Sequence, residues 1–298
     1  MTTTELTLSG EVMYRKPQGP WQLAARRFLR HRIGVVSTLI LLGIVGLVIL
    51  GPVWFISEDA AFRPDPMRIN SPPSIDHWLG TDEVGRDILA RIIYGGRVSL
   101  LVGLLAMLVA ITAGVLLGSL AGYFGGMLDG LIMRFTDVML SIPGIFLIIA
   151  LSVFMGPSMK TIILAIGFLN WMSVARVVRS LFLSLKEQDF VLAARCLGVK
   201  DARIMWGHIL PNAMAPVVVA ATLTVGAAIL TETAVSYLGL GIQPPTPSWG
   251  NMLKNAQDLI WTAPWVAIFP GAMIFFTTLC INFMGDALRD ALDPRMQL

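Results

Sequence analysis

One carboxylate, Glu232, stands in the otherwise apolar run AAILTETAVSYLG. Placing a carboxylate near a bilayer centre costs about 2.5–3.5 kcal/mol on insertion scales, so such a residue should face a bundle interior or a water-filled path. There it could meet a cation or a substrate amine. Near the outer end of its span it could instead hydrogen-bond to neighbouring helices. Other reactive chemistry is sparse. The chain has no GxxxxGKS or GxxxxGKT loop to cradle ATP phosphates, and neither HExxH nor GxSxG occurs. His31, His77 and His208 are scattered, and Cys196 and Cys280 lack a CxxC or Cys/His neighbourhood. No catalytic residue, metal site or resident cofactor is therefore expected.

The elements that must position Glu232 are apolar. The 298 residues are 55% hydrophobic and 14% charged, and the mean hydropathy is +0.73, a balance that excludes an ordinary soluble domain. A net charge of +3 in such a chain marks cytoplasmic loops rather than nucleic-acid binding. A cytoplasmic tail is expected over 1–32, and a first span over 33–56, too long for a signal-peptide core. Five further spans are expected at about 98–122, 131–156, 159–180, 213–238 and 264–285. The fold class is thus an all-α membrane protein with six transmembrane helices. The segments assigned inside hold fifteen Lys and Arg and those outside seven, which puts both termini, the tail 286–298 included, in the cytoplasm.

Charged groups cluster at some span ends. Arg134 can pair with Asp137 at i+3, with Asp129 nearby at the start of the third span, as a structural clamp or a gate. Arg176 and Arg179 close the fourth span and read as anchors. The outer segment 57–97 is proline-rich and then amphipathic from about Val84. A proline-rich loop of this length is often functional, and with QPPTPSWG it could form a lid over the outer mouth.

The polar gap LAARCLGVKDARIMWGHILPN, Leu192 to Asn212, lies between the fourth and fifth spans. Phe190, Val191, Ala194 and Leu197 fall on one face of a short helix, which Gly198 ends. Asp201 is the expected N-cap of a second helix that carries Ile204, Met205, His208 and Ile209 on one face, and Pro211 marks its boundary with the next span. Two amphipathic helices at an angle suit a hairpin on lipid headgroups. They equally suit a knob that docks a soluble partner.

This gap resembles the EAA loop of ABC-transporter permeases. It matches at Ala193, Ala194, Gly198, Leu210 and Pro211, and departs at Leu192 and His208, where that pattern has Glu and Ile. HWLGTDEVGRDILARIIYGGRVSL (77–100), GLGIQPPTPSWGNML (239–253) and NFMGDALRDALDPR (282–295) resemble the C-type permease subunit of dipeptide, oligopeptide, glutathione and nickel importers. The resemblance implies the ABC importer permease fold, with one N-terminal helix over 33–97 together with its loop, and a five-helix permease core over 98–285. It implies a coupling loop at about 186–212, with Ala193, Ala194, Leu197 and Gly198 as the knob and Ile209, Leu210 and Pro211 returning the chain to the membrane.

It further implies residence in a bacterial cytoplasmic (inner) membrane. The partners would be a second homologous permease subunit, two ATP-binding subunits that hold ATP and Mg, an extracytoplasmic substrate-binding protein and membrane lipid, with no nucleic acid. The substrate class implied is di- or oligopeptides, with nickel or glutathione as alternatives. A stand-alone secondary transporter is the other class, against which the missing internal repeat speaks.

Overall fold

The computed structural model describes residues 20–54, 57–254 and 256–292. Residues 1–19 of the expected N-terminal tail, Ile56 at the end of the expected first span, and Arg295 with its Asp-Pro-Arg neighbours lie outside the described residues. The elements are α1 (Pro20–Arg30), α2 (Arg32–Trp54), α3 (Glu58–Phe62), a 3₁₀ turn (Pro66–Arg68), α4 (Ile88–Phe124), α5 (Gly126–Ser141), α6 (Gly144–Met155), α7 (Met159–Leu185), α8 (Asp189–Cys196), α9 (Asp201–Arg203), a π turn (Ile204–Ile209), α10 (Leu210–Tyr237), α11 (Trp249–Met252), α12 (Ala256–Leu259) and α13 (Trp265–Leu292). Among the described residues the only β pairing is an isolated bridge between Thr81 and Asp87.

Glycine decides how the bundle packs. Gly114, Gly118 and Gly122 recur every fourth residue of α4 and so share one face. A Cβ at Gly114 would lie 2.6 Å from Val174 Cβ, one at Gly118 2.5 Å from the Ala175 carbonyl, and one at Gly122 2.6 Å from Phe182 Cβ. From the other side, Gly167 of α7 would meet Val109 at 2.6 Å. Small residues let two backbones approach this closely, and in lipid such packing replaces the hydrophobic drive that water supplies elsewhere. The paired residue numbers rise together along both helices, so α4 and α7 run parallel.

That direction fixes the number of crossings. Two parallel spans must be joined by a segment that returns across the membrane, and the residues between them form α5 and α6. The expected single span at 131–156 is here two helices bent by 86° at a short break. Pro143 causes the bend: Ile142, which precedes it, is extended at φ −91° and ψ 126°, as the proline ring requires of its predecessor. Among the described residues five helices are long and apolar enough to cross singly, and the bent pair, read as the one returning span, makes the sixth. An even count agrees with the ends of the chain. His31 lies 3.7 Å from Asp290, and a Cβ at Gly34 would meet Ala287, so the start of α2 and the end of α13 share one side.

Helix ends differ from the expected ones where polar groups supply caps. Asp87 caps α4 by accepting from the Ala90 N–H at 2.8 Å, so the expected amphipathic stretch and second span form one 37-residue helix. Arg97, in the first half of α4, donates to the Val48 carbonyl at 3.0 Å and the Ile49 carbonyl at 2.9 Å. Val48 is four residues before Pro52, which has no N–H to give it. The guanidinium thus supplies the donor that the proline removes.

Filling the glycine face should separate α4 from α7. Gly118→Val is expected to lower the unfolding temperature of the detergent-purified chain, by an overpacking cost of about 1–3 kcal/mol. Gly130→Ala, on α5 where a Cβ would meet nothing, should leave it unchanged or slightly raised. Thermal unfolding followed by tryptophan fluorescence checks both.

Candidate functional site

The segment 186–212 forms an elbow at the end of α7. Helix α8 ends at Gly198, whose φ of +72° is cheap only for glycine. The Val199 N–H reaches the Ala194 carbonyl at 3.1 Å and the Gly198 N–H the Arg195 carbonyl at 2.9 Å, the pair of bonds that closes a Schellman turn. Val199 packs onto the same cluster as Ala194, which completes the turn with an apolar contact.

The elbow has two sides. Val191, Ala194, Ile204, Met205 and Ile209 are buried with Val178 and Phe182 of α7 and Tyr123 of α4 in one apolar cluster. Leu192, Ala193, Leu197 and Gly198 are exposed, Leu197 at 83%, and Trp206 also faces outward at 40%. The expected face of Phe190, Val191, Ala194 and Leu197 is therefore split, with Val191 and Ala194 inward and Phe190 and Leu197 outward. The expected knob splits likewise: Ala194 is part of the anchor, and Ala193, Leu197 and Gly198 form the outer surface.

Tyr123, at the end of α4, holds both arms of the elbow. Its hydroxyl donates to Asp201 Oδ1 at the start of α9, and the Arg195 guanidinium of α8 lies 5.4 Å from its ring centroid. Asp201 is consequently not the N-cap expected of it. Lys200 occupies the cap position, and the Asp201 carboxylate serves Tyr123 instead.

Pro211 is a second correction, because it does not divide a short helix from the next span. Asp201 to Tyr237 is one continuous 37-residue rod. Pro211 has no N–H for the carbonyl four residues back and would crowd it. The π turn at Ile204–Ile209 shifts the pairing, and the Leu210 N–H bonds to the Met205 carbonyl, five residues back. The widened turn accommodates the proline, so the helix continues.

The acidic pair beside the elbow also differs from the expected i+3 bridge. Asp137 pairs with Arg176 at 2.5 Å, and Asp129 takes the Arg179 guanidinium on both oxygens, Nη2 at 2.6 Å from Oδ2. Because α5 lies against the end of α7, cross-helix partners win over Arg134. Arg176 and Arg179 are thus bridge partners rather than anchors alone, and the two-point Asp129–Arg179 bond gives directional strength that a single contact lacks.

Glu232 lies at the other end of α10 and has no exposed surface. Its carboxylate accepts from Ser236 at 2.7 Å and Ser99 of α4 at 3.2 Å. Ser99 in turn accepts from the Trp249 N–H at 3.1 Å, and Ser236 from the Ile242 N–H at 3.2 Å. The carboxylate thus ties α4, α10 and the loop that follows α10 together. The loop block QPPTPSWG splits too: Pro247, Ser248, Trp249 and Gly250 are buried, and Pro244, Pro245 and Thr246 are exposed. Trp249 plugs the space above Gly96 and donates its indole N–H to the Ile92 carbonyl at 2.9 Å. The segment between α2 and α4 is folded by His77, which joins Asp87 at 2.8 Å to Arg68 at 2.8 Å.

Residue-by-residue reading missed the glycine face, although its every-fourth spacing was visible in AGVLLGSLAGY, and it missed Tyr123, which carries no local signal.

Six crossings and an elbow fixed to one end of the bundle, with apolar residues exposed on it, define a multi-span membrane protein. Residues 114–298 match the family described as binding-protein-dependent transport system inner membrane component, and residues 19–73 match the N-terminal TM domain of oligopeptide transport permease C. The chain belongs to this family of inner-membrane permeases. It is 42% identical over 93% of its length to the dipeptide transport system permease protein DppC of Alkalihalophilus pseudofirmus, covering 91% of that protein. It is 44% identical over 92% of its length to the oligopeptide transport system permease protein OppC of Escherichia coli K12, covering 91%. Against the glutathione transport system permease protein GsiD of Pectobacterium atrosepticum it is 41% identical over 93%, covering 92%.

Three substitutions, at two positions, check the site. Tyr123→Phe removes one hydrogen bond, about 1 kcal/mol, and keeps the ring; it should leave the chain inserted but raise protease nicking between α8 and α9. Glu232→Gln keeps an acceptor for a serine hydroxyl and should retain most of the thermal stability, whereas Glu232→Ala, which orphans Ser99 and Ser236, should lose it.

Proposed function

We propose that the chain is one of two permease subunits of an ATP-driven importer for di- or oligopeptides. The observation that carries this is the elbow at 186–212: apolar residues exposed outside the membrane on a platform whose other side is locked into the core. Exposed apolar groups of this kind mark a protein contact, and helix-in-groove docking needs such a face. Its occupant is one of two ATP-binding subunits, where ATP and Mg reside. The elbow lies on the cytoplasmic side, as do both termini, consistent with Lys186, Arg195, Lys200 and Arg203 within it.

A second homologous permease completes the path, and an extracytoplasmic binding protein delivers substrate to the outer loops. Closure of the ATPases moves α8 and α9. Tyr123 and the apolar cluster pass the displacement to α4 and α7, while the continuous rod carries it along α10. Alternating access then follows if nucleotide binds the two states with different affinity. A glutathione importer is the second reading, favoured by the glutathione relatives of equal similarity; glutathione is itself a small peptide.

Mild-detergent purification of the tagged chain from its native membrane should recover a second permease and one or two ATPases by mass spectrometry. A homo-oligomer that moves solute without ATP overturns the reading. Leu197→Asp should leave the chain inserted with unchanged thermal stability and reduce ATPase recovery at least ten-fold. Full recovery would show that the elbow is not the docking face.

A further inference from the structure

A cleft of about 390 Å³ opens beside the α5–α6 break, between Gly144 and Ile145, Leu169 and Asn170 of α7, and Leu230 and Thr231 of α10. Its size suits a small ligand. We propose that this cleft is the part of the path that holds the peptide unit of the substrate, with Asn170 as the residue that pairs with it. The proposal rests on the importer reading above.

Two observations exclude lipid as what this face meets. Ile142 and Pro143 are exposed and non-helical, and irregular backbone at membrane depth occurs only where protein covers it or where it lines a water-filled cavity. Asn170, midway along α7, is the second. One amide hydrogen bonds to the Ile166 carbonyl at 2.8 Å. Its Oδ1 and second amide hydrogen have no partner among the described residues. A side-chain amide with an open donor and acceptor is costly in hydrocarbon.

The open groups also name the ligand class. A peptide unit presents one N–H and one C=O, the complement of the free Oδ1 and free N–H of Asn170. None of the described residues lining the cleft is charged, so none of them offers a charge to a metal chelate or a terminal carboxylate. The walls from Ile145, Leu169 and Leu230 are apolar and unspecific. A cleft of this kind reads the backbone common to all peptides and leaves choice among side chains elsewhere.

The test uses the assembled complex in proteoliposomes, with the binding protein and radiolabelled trialanine. Asn170→Leu should lower the initial transport rate at least five-fold while binding-protein stimulation of ATP hydrolysis persists, and Asn170→Gln should recover half of the rate or more. In a Cys196→Ser, Cys280→Ser background, the thiol introduced by Asn170→Cys should react with a charged methanethiosulfonate, at a rate that trialanine and ATP lower at least three-fold. Wild-type transport by Asn170→Leu, an unreactive thiol, or a reaction indifferent to trialanine each overturns the proposal. All three leave the importer reading intact, since that reading fails only if transport proceeds without the ATPases.

Discussion

The parallel contact between α4 and α7 is the constraint from which the rest of the architecture follows. Close approach along Gly114, Gly118 and Gly122 sets the direction of both helices. Their shared direction forces the intervening segment to cross the bilayer, and Pro143 makes that crossing a bent one. The same contact brings the end of α4 beside the end of α7, where Tyr123 and Phe182 form the floor on which the elbow rests. Helix α10 runs antiparallel against α4 and reaches from the elbow to the buried Glu232 network, so both ends of the molecule connect to one glycine-lined seam.

Polar groups in this chain serve mainly to join elements. Arg97 answers the carbonyl that Pro52 leaves open, Asp129 and Arg179 join α5 to α7, and Glu232 gathers hydroxyls from two helices. Each would be costly in lipid alone and is tolerated because its partner is fixed by packing. Asn170 differs in that it bonds the Ile166 carbonyl with one amide hydrogen and leaves its remaining hydrogen-bonding capacity open on a cleft.

The six crossings were legible in the sequence because runs of about twenty apolar residues carry a strong local signal. The elbow was legible for a similar reason, since Gly198 and the spacing of Val191, Ala194, Ile204 and Ile209 act within a few residues. What could not be read there depended on neighbours. Pro143 sits in a run apolar enough to pass as one straight span. Pro211 has the chemistry of a helix boundary, but the π turn that absorbs it is set by packing of Ile204, Met205 and Ile209. Asp137 had a local partner in Arg134 and took Arg176, and the hydrogen bonds of Glu232 could be read only once Ser99 was placed beside it.

The seam also bears on how the protein is made. Helix α4 is complete at residue 124, but its partner α7 is not complete until residue 185. At roughly 5–20 residues per second of synthesis, the interval is about 3–12 s. Throughout it the glycine face lies in the bilayer without the helix it fits, and the connecting pair must be inserted and bent before the fit can form. A nascent chain in this state presents a groove open to any other helix with small residues, so correct assembly depends on the order in which neighbouring spans are released from the insertion machinery.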